Sequence, residues 1–170
     1  MKKIILLTLL STLIAFAGDM KSLKVGEAVP TFTLKNYDGK EVSLDTVAKA
    51  HKLTVLMFIS TECPVSNGYN ERMVNLNDQF GKKNVAFLGI NANVEEDVAR
   101  IAEHSKEKGF KFPVLKDVGN KIADAYGAMV TPEIFVVNSE GKLLYHGRID
   151  NSPKDANLVQ TTDLRNAIFV

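Results

Sequence analysis

Three predominantly apolar runs mark the chain, at positions 53–59, 85–90 and 134–137. They are rich in β-branched and large apolar side chains, which predicts strands buried on both faces of a sheet. After the first run, apolar residues recur every three or four positions, as they do on one face of an amphipathic helix. The residues of this predicted face are Val65, Tyr69, Met73, Leu76 and Phe80.

Alternating polarity and turn residues predict the elements before the first run. Residues 31–34 and 41–44 alternate apolar and polar side chains around an Asp-Gly pair at 38–39, which predicts a β-hairpin. Asp45 is the predicted cap of a short helix over Thr46–Ala50. Gly81 is predicted to end the long helix that follows the first run.

A second helix is predicted between the second apolar run and a short extended segment. The helix is expected over 94–108, and the extended segment over 112–115. Pro113 cannot donate a backbone hydrogen bond, so the segment is not expected in the centre of a sheet. The helix residues predicted to face inward are Val94, Val98, Ile101 and Ala102.

The last third of the chain predicts a short helix, a hairpin and a terminal helix. The short helix is expected over 120–126 with Gly127 as its stop, the returning strand of the hairpin over 143–149, and the terminal helix over 159–170. Strand–helix–strand units with continuous apolar strands predict parallel pairing and a right-handed crossover, and the hairpins add antiparallel strands. The predicted fold is α/β, with a central mixed β-sheet flanked by helices on both faces.

Cys63 lies at the predicted junction between the first buried strand and the helix that follows it. Pro64 suits the first helical position, where its missing N–H costs nothing. The unpaired N–H groups and the dipole of a helix N-terminus stabilise a thiolate, so the pKa of Cys63 is expected below the free-thiol value of about 8.5. Glu62 would act in the opposite direction if its carboxylate pointed inward.

Composition narrows the classes of protein that the chain can represent. Its 170 residues, 45% of them hydrophobic, are ordinary for one globular domain, and a formal net charge of +1 gives no case for nucleic-acid binding. Cys63 is the only cysteine, which excludes an internal disulfide and a cysteine-cluster metal site. No cofactor or metal is expected.

The N-terminus carries the pattern of a secretory signal peptide over residues 1–17. Lys2 and Lys3 form a basic region, an apolar stretch follows to Phe16, and Ala15-Phe16-Ala17 matches a cleavage signal. We therefore expect an exported domain at 18–170, in the periplasm if the cell is Gram-negative, without a membrane span in the mature chain. A lone exposed thiol in an oxidising compartment will meet oxidants and other thiols.

Three motifs in order resemble the thioredoxin-like superfamily, specifically its redoxin branch of AhpC/TSA and ResA/TlpA-like proteins. Residues 29–34 with 38–40 resemble the N-terminal hairpin of that branch, and 55–66 its active-site strand and nucleophile turn. Thr131-Pro132 before the third apolar run resembles its cis-proline segment. The resemblance covers nearly the whole mature chain and implies a thioredoxin-like fold with thiol–disulfide exchange or thiol-based, antioxidant peroxide reduction.

The site residues that the resemblance implies are Cys63, Ser66, Thr131 and Pro132. Cys63 would be the nucleophile, Pro132 would be cis, and Thr131 would present backbone groups to a substrate beside it. Ser66 stands where Cys-x-x-Cys proteins have their second cysteine, and its hydroxyl is expected to donate to the thiolate. Similar redoxins often continue to a distal cysteine, so this chain is expected to be a shortened version or a fragment.

The peroxiredoxin signature Pro-x-x-x-Thr/Ser-x-x-Cys is also incomplete. Ser60 matches its hydroxyl position, but Leu56 occupies the proline position. Three functions therefore stay open: a disulfide oxidoreductase, a one-cysteine peroxidase, and a redox-inactive binding protein. The expected partners are thiol or disulfide proteins or small thiols as electron donors, with peroxide possible. A copper site of Cys63 with His146 is the least favoured alternative, because one thiolate and one imidazole make a poor site.

Overall fold

A seven-stranded mixed sheet forms the centre of the protein, which we describe from a computed structural model over residues 23–169. The strand order is β2-β1-β5-β4-β3-β6-β7, in one sheet. The strands are β1 (Thr33–Asn36), β2 (Glu41–Ser43), β3 (Leu53–Phe58), β4 (Val85–Asn91), β5 (Val114–Lys116), β6 (Glu133–Asn138) and β7 (Leu143–Gly147). The predicted signal peptide at 1–17 lies outside the described residues.

Helices cover both faces of this sheet, as the sequence predicts. The helices are α1 (Leu44–Ala50), α2 (Pro64–Asn67), α3 (Asn70–Phe80), α4 (Val98–Glu107), α5 (Lys121–Tyr126) and α6 (Asp163–Ile168). Buried residues of α3, α4 and α6 pack with one face of the strands, and buried residues of α1 and α5 pack with the other. Within residues 23–169, no helix is both long enough and apolar enough to cross a membrane.

β3 occupies the middle of the sheet and carries the candidate site at its end. It pairs in parallel with β4 and antiparallel with β6, and all six of its residues are buried. Val55 and Met57 contribute to the core under α3, whereas Leu56 and Phe58 contribute to the core under α5. This alternation explains why β3 has a continuous apolar sequence, since both of its faces are covered.

The helix predicted after Cys63 is interrupted, and the prediction that its first apolar residue, Val65, is buried is wrong. α2 ends at Asn67 and α3 begins at Asn70, while Val65 is 46% exposed. Gly68 lies in the interruption, where a Cβ would come within 2.5 Å of the Pro153 carbonyl oxygen. The loop after β7 therefore packs directly against the backbone at the break, which only glycine permits.

The helix predicted over 94–108 begins later, and the prediction that Val94 and Val98 face the core is wrong. α4 starts at Val98, with the Asp97 side chain accepting a hydrogen bond from the Arg100 N–H at 2.8 Å. Val94 is 75% exposed and Val98 is 44% exposed, whereas Ile101 is buried. Val94 does not lie on a helix, because residues 92–97 form the loop between β4 and α4.

Several predicted element boundaries also need correction. Ser43, not Asp45, is the N-cap of α1, which starts at Leu44. The segment at 112–115 was not expected inside a sheet, but β5 lies between β1 and β4. Pro113 permits this because it stands just before β5, where its carbonyl accepts a hydrogen bond from the Gly89 N–H and no N–H is needed. α6 occupies only Asp163–Ile168. Gly127, by contrast, ends α5 in the left-handed conformation, with a φ of 67°.

Candidate active site

Cys63 lies at the C-terminal end of β3, after the turn Ser60-Thr61-Glu62. It is the N-cap residue of α2, with Pro64 at the first helical position, and its side chain is partly exposed. The predicted strand–cysteine–proline–helix junction is therefore confirmed. The Cys63 sulfur lies at the positive end of a short helix, near the C-terminal end of β3 in the middle of the sheet.

Thr131 and Pro132 form the wall opposite Cys63. The Thr131–Pro132 peptide bond is cis, as the resemblance implied, and Pro132 precedes β6. Glu133, the first residue of β6, pairs with Phe58 at the end of β3, which brings the Thr131 loop beside the nucleophile turn. The Cys63 Sγ lies 3.5 Å from the Thr131 carbonyl oxygen, to which the neutral thiol can donate.

The surroundings of Cys63 favour its ionised form. Partial burial by itself raises the pKa of the thiol, but the Thr131 side chain and the backbone N–H groups of Ser66 and Val65 act in the other direction. The net result is a pKa below the usual value, although the charge of Glu96 opposes it. The helix N-terminus and Thr131 together thus stabilise a thiolate.

The Ser66 hydroxyl does not take the position predicted from the sequence. Ser66 is fully buried, and its Oγ accepts a hydrogen bond from the Ser60 N–H at 3.2 Å. The group of Ser66 that faces the sulfur is its backbone N–H. The predicted donation from the hydroxyl to the thiolate is therefore replaced by backbone donation, because the side chain turns toward the preceding strand end.

Glu96 is the residue that sequence reasoning missed. It lies in the loop between β4 and α4 and is fully buried, and four of the groups that donate to its carboxylate belong to Ser60, Thr61, Asn91 and Asn93. Burial alone raises its pKa, but these hydrogen bonds outweigh burial and lower the pKa to about 2. The sequence offers one signal, two asparagines near a Glu pair after a buried strand.

Glu133 organises the opposite wall in a comparable way. One carboxylate oxygen accepts hydrogen bonds from the backbone N–H groups of Met129 and Val130, at 2.7 and 3.1 Å. The other oxygen contacts His146 Nε2 at 2.6 Å, and the His146 ring stacks on Phe135. His146 is thus engaged away from Cys63. Among residues 23–169, no group of three or more His, Cys, Asp or Glu side chains is placed to hold a metal ion.

An open cleft of about 450 Å³ adjoins Cys63. Among the described residues that line it, Glu62 alone is charged, and its side chain is turned outward to an ion pair with Arg100 at 3.0 Å. The inward-pointing Glu62 that would have opposed ionisation is therefore not observed. Arg148 does not line the cleft, and its exposed side chain forms an ion pair with Asp163 at 2.6 Å.

These features define a thioredoxin-like oxidoreductase, and the family model confirms the class. The AhpC/TSA family model matches residues 25–146, so the chain belongs to the AhpC/TSA family. Among curated proteins, the chain is 30% identical over 129 residues to the thiol-disulfide oxidoreductase ResA of Bacillus subtilis, covering 76% of this chain and 69% of that protein. It is 27% identical over 148 residues to ResA of Bacillus anthracis, covering 84% of this chain and 83% of that protein.

Solved structures show the same fold. An uncharacterised conserved protein from Geobacillus kaustophilus superposes with a TM-score of 0.79 at 30% identity, covering 86% of this chain and 80% of that one. The peroxidoxin BcpB of Mycobacterium tuberculosis superposes with a TM-score of 0.69 at 19% identity, covering 86% and 95%. The predicted α/β fold with a mixed sheet is thus confirmed.

Proposed function

We propose that the protein is a thiol–disulfide oxidoreductase in which Cys63 is the single nucleophile. The observation that carries the proposal is the position of the Cys63 sulfur, at a helix N-terminus and 3.5 Å from the Thr131 carbonyl oxygen. The thiolate attacks one sulfur of a substrate disulfide, the substrate S–S bond breaks, and a mixed disulfide with Cys63 forms. The departing thiolate takes up a proton from water.

The second half of the cycle needs a thiol from outside the chain. Cys63 is the only cysteine, and a serine hydroxyl at position 66 is far too weakly nucleophilic toward sulfur to replace a resolving thiol. An external thiolate therefore attacks the mixed disulfide, and Cys63 leaves as the thiolate. Protein thiols or small thiols are the electron donors that this scheme requires.

Thr131 and Pro132 are proposed to guide the substrate, and Ser66 to present its backbone N–H to the sulfur. The Thr131 carbonyl oxygen lies 3.5 Å from the Cys63 sulfur, and a peptide chain in the cleft would run beside it. The cleft surface there is formed partly by the exposed side chains of Met129 and Val130. A disulfide-bearing peptide with apolar neighbours fits this wall better than an anionic small molecule.

Disulfide exchange is favoured over peroxide reduction by the contacts of Ser60. Its hydroxyl donates to Glu96 at 2.5 Å and accepts from the Cys63 N–H at 3.0 Å. A hydroxyl has a single proton, so Ser60 cannot also donate to a peroxide oxygen at the sulfur. Leu56, which occupies the position of the proline in the peroxiredoxin signature, also favours disulfide exchange over peroxide reduction.

We also propose that the protein is exported. The support is the basic residues Lys2 and Lys3, the apolar stretch and the Ala15-Phe16-Ala17 signal, together with a lone reactive thiol. Removing residues 1–17 would leave a domain at 18–170. An oxidising compartment supplies the disulfides that the proposed reaction consumes.

The acidity of Cys63 tests the proposed function. We expect alkylation of the native protein by iodoacetamide to show a midpoint below the free-thiol value of about 8.5, because backbone N–H groups and Thr131 stabilise the thiolate. The measurement is the alkylation rate against pH by mass spectrometry, with Cys63→Ser as the blank and the urea-unfolded protein as the reference. A native midpoint at or above the unfolded one would make Cys63 a structural residue.

A further inference from the structure

The carboxylate of Glu96 is the centre of a polar network beside the site. Its side chain is fully buried, and the hydrogen bonds that it accepts from Asn91 Nδ2 and Asn93 Nδ2 measure 2.5 and 2.7 Å. Lys116 braces the same loop, since its Nζ donates to the Glu96 carbonyl at 2.7 Å and to Asn91 Oδ1 at 3.1 Å. The carboxylate is therefore held rigidly on the β4–α4 side.

On its other side the same carboxylate holds the turn that carries the nucleophile. Oε2 accepts from the Thr61 N–H at 2.6 Å, and Oε1 accepts from the Ser60 hydroxyl at 2.5 Å. Ser60 Oγ in turn accepts from the Cys63 N–H at 3.0 Å. A continuous chain of hydrogen bonds thus joins Glu96 to the backbone of Cys63, through a hydroxyl whose only proton is committed to Glu96.

We propose that Glu96 is a positioning residue for the thiol chemistry of Cys63, acting through the Ser60 hydroxyl and the Thr61 N–H. The inference rests on the proposed function, because it concerns the reactivity of Cys63. Glu96 fixes where the sulfur stands relative to Thr131, so a bound disulfide meets it in a reactive orientation. Glu96 also places a negative charge near the sulfur and so limits how acidic the thiol becomes.

The other charged groups near the turn are occupied by partners of their own. Glu62 pairs with Arg100 at 3.0 Å on the surface. Lys116 donates to carbonyl groups of the Glu96 loop, and Glu133 on the opposite wall binds backbone N–H groups and His146. Glu96 is the charged group whose field opposes ionisation of Cys63, which makes its charge and its contacts separable by substitution.

The test compares Glu96→Gln, Glu96→Asp and the matched control Glu95→Gln, which removes the same charge from the exposed neighbour. Two quantities are measured against pH: the midpoint of Cys63 alkylation, and the plateau rate of reaction with 2-hydroxyethyl disulfide, which is uncharged. Each alkylation rate is divided by the same variant's alkylation rate at high pH. On this scale, Glu96→Gln should react with iodoacetamide roughly three- to tenfold faster than the wild type at pH values below the wild-type midpoint, because a nearby negative charge is gone.

The plateau rate reports positioning. We expect it to fall about tenfold in both Glu96→Gln and Glu96→Asp, because neither side chain can hold Thr61 and Ser60 as glutamate does. Glu96→Asp should keep the wild-type midpoint, since it keeps the charge. Ser60→Ala removes only the linking hydroxyl, and it should also lower the plateau rate without raising the alkylation rate at low pH. If Glu96→Gln does not fold, Ser60→Ala tests the positioning role in its place.

Two results would overturn the inference. One is a plateau rate in folded Glu96→Asp or Ser60→Ala equal to that of the wild type. The other is a midpoint in Glu96→Gln that coincides with those of the wild type and Glu95→Gln. Failure of the proposed function itself looks different, because wild-type Cys63 would then neither show a lowered midpoint nor react with the disulfide.

Discussion

Replacing Ser66 with cysteine is expected to shorten the lifetime of a Cys63 mixed disulfide by roughly a hundredfold or more at micromolar external thiol. Ser66 lies one helical turn after Cys63, and its backbone N–H faces the Cys63 sulfur. Its Oγ accepts a hydrogen bond from the Ser60 N–H at 3.2 Å, so a cysteine here reaches the Cys63 sulfur by rotating its side chain away from Ser60. A thiol at this position attacks the mixed disulfide within the molecule, at an effective concentration of millimolar or higher. In the wild type, release waits for a thiol from solution.

The measurement is the decay of a preformed mixed disulfide, followed by intact-mass spectrometry at fixed external thiol. Ser139→Cys is the matched control, because it adds one exposed thiol in the turn between β6 and β7, at the opposite end of the sheet from Cys63. Its decay should equal that of the wild type. Equal decay in Ser66→Cys and Ser139→Cys would show that position 66 does not face the sulfur closely enough to act on it.

Replacing Arg72 with methionine is expected to lower the free energy of unfolding by about 3–5 kcal/mol. Arg72 contacts both carboxylate oxygens of Asp150, at 2.8 and 2.6 Å, and donates to the carbonyl oxygens of Ser152 and Pro153. Its guanidinium also lies 4.0 Å from the centre of the Tyr69 ring. Methionine would leave a buried carboxylate at Asp150 without its cation.

Urea unfolding of Arg72→Met measures this loss. Lys49→Met is the control, because Lys49 forms an ion pair of similar length, 2.8 Å, with Asp45 at a site where both side chains are exposed. Its effect should stay within about 0.5 kcal/mol. A loss below about 1 kcal/mol for Arg72→Met would mean that the loop after β7 does not depend on this ion pair.

The fold was predictable because its central strands are buried on both faces. Val55 and Leu56 enter different cores, so β3 needs apolar residues at every position, and the sequence shows this directly. Val65 and Val94 were assigned wrongly because helical spacing alone cannot show that a helix is interrupted or begins later. Gly68 allows the interruption through a contact with Pro153, which is 85 positions away in the chain.

The candidate site was predictable only in the parts that follow one another in sequence. Cys63 and Pro64 together predict a helix N-terminus, and Thr131-Pro132 resembles the cis-proline segment of the redoxin branch. Glu96 was missed because its role depends on a turn that lies some 35 positions earlier, with which it shares no pattern. A buried carboxylate looks like a surface glutamate until the donors around it are known.

Intact-mass spectrometry of the wild-type protein after brief exposure to 2-hydroxyethyl disulfide tests the central claim most directly. We expect one adduct per chain, located at Cys63 by peptide mapping, stable until a thiol is added and absent from Cys63→Ser. We also expect the release of one equivalent of 2-mercaptoethanol. A wild-type protein that stays unmodified under conditions that oxidise glutathione would contradict the account, because Cys63 would then not be a redox centre.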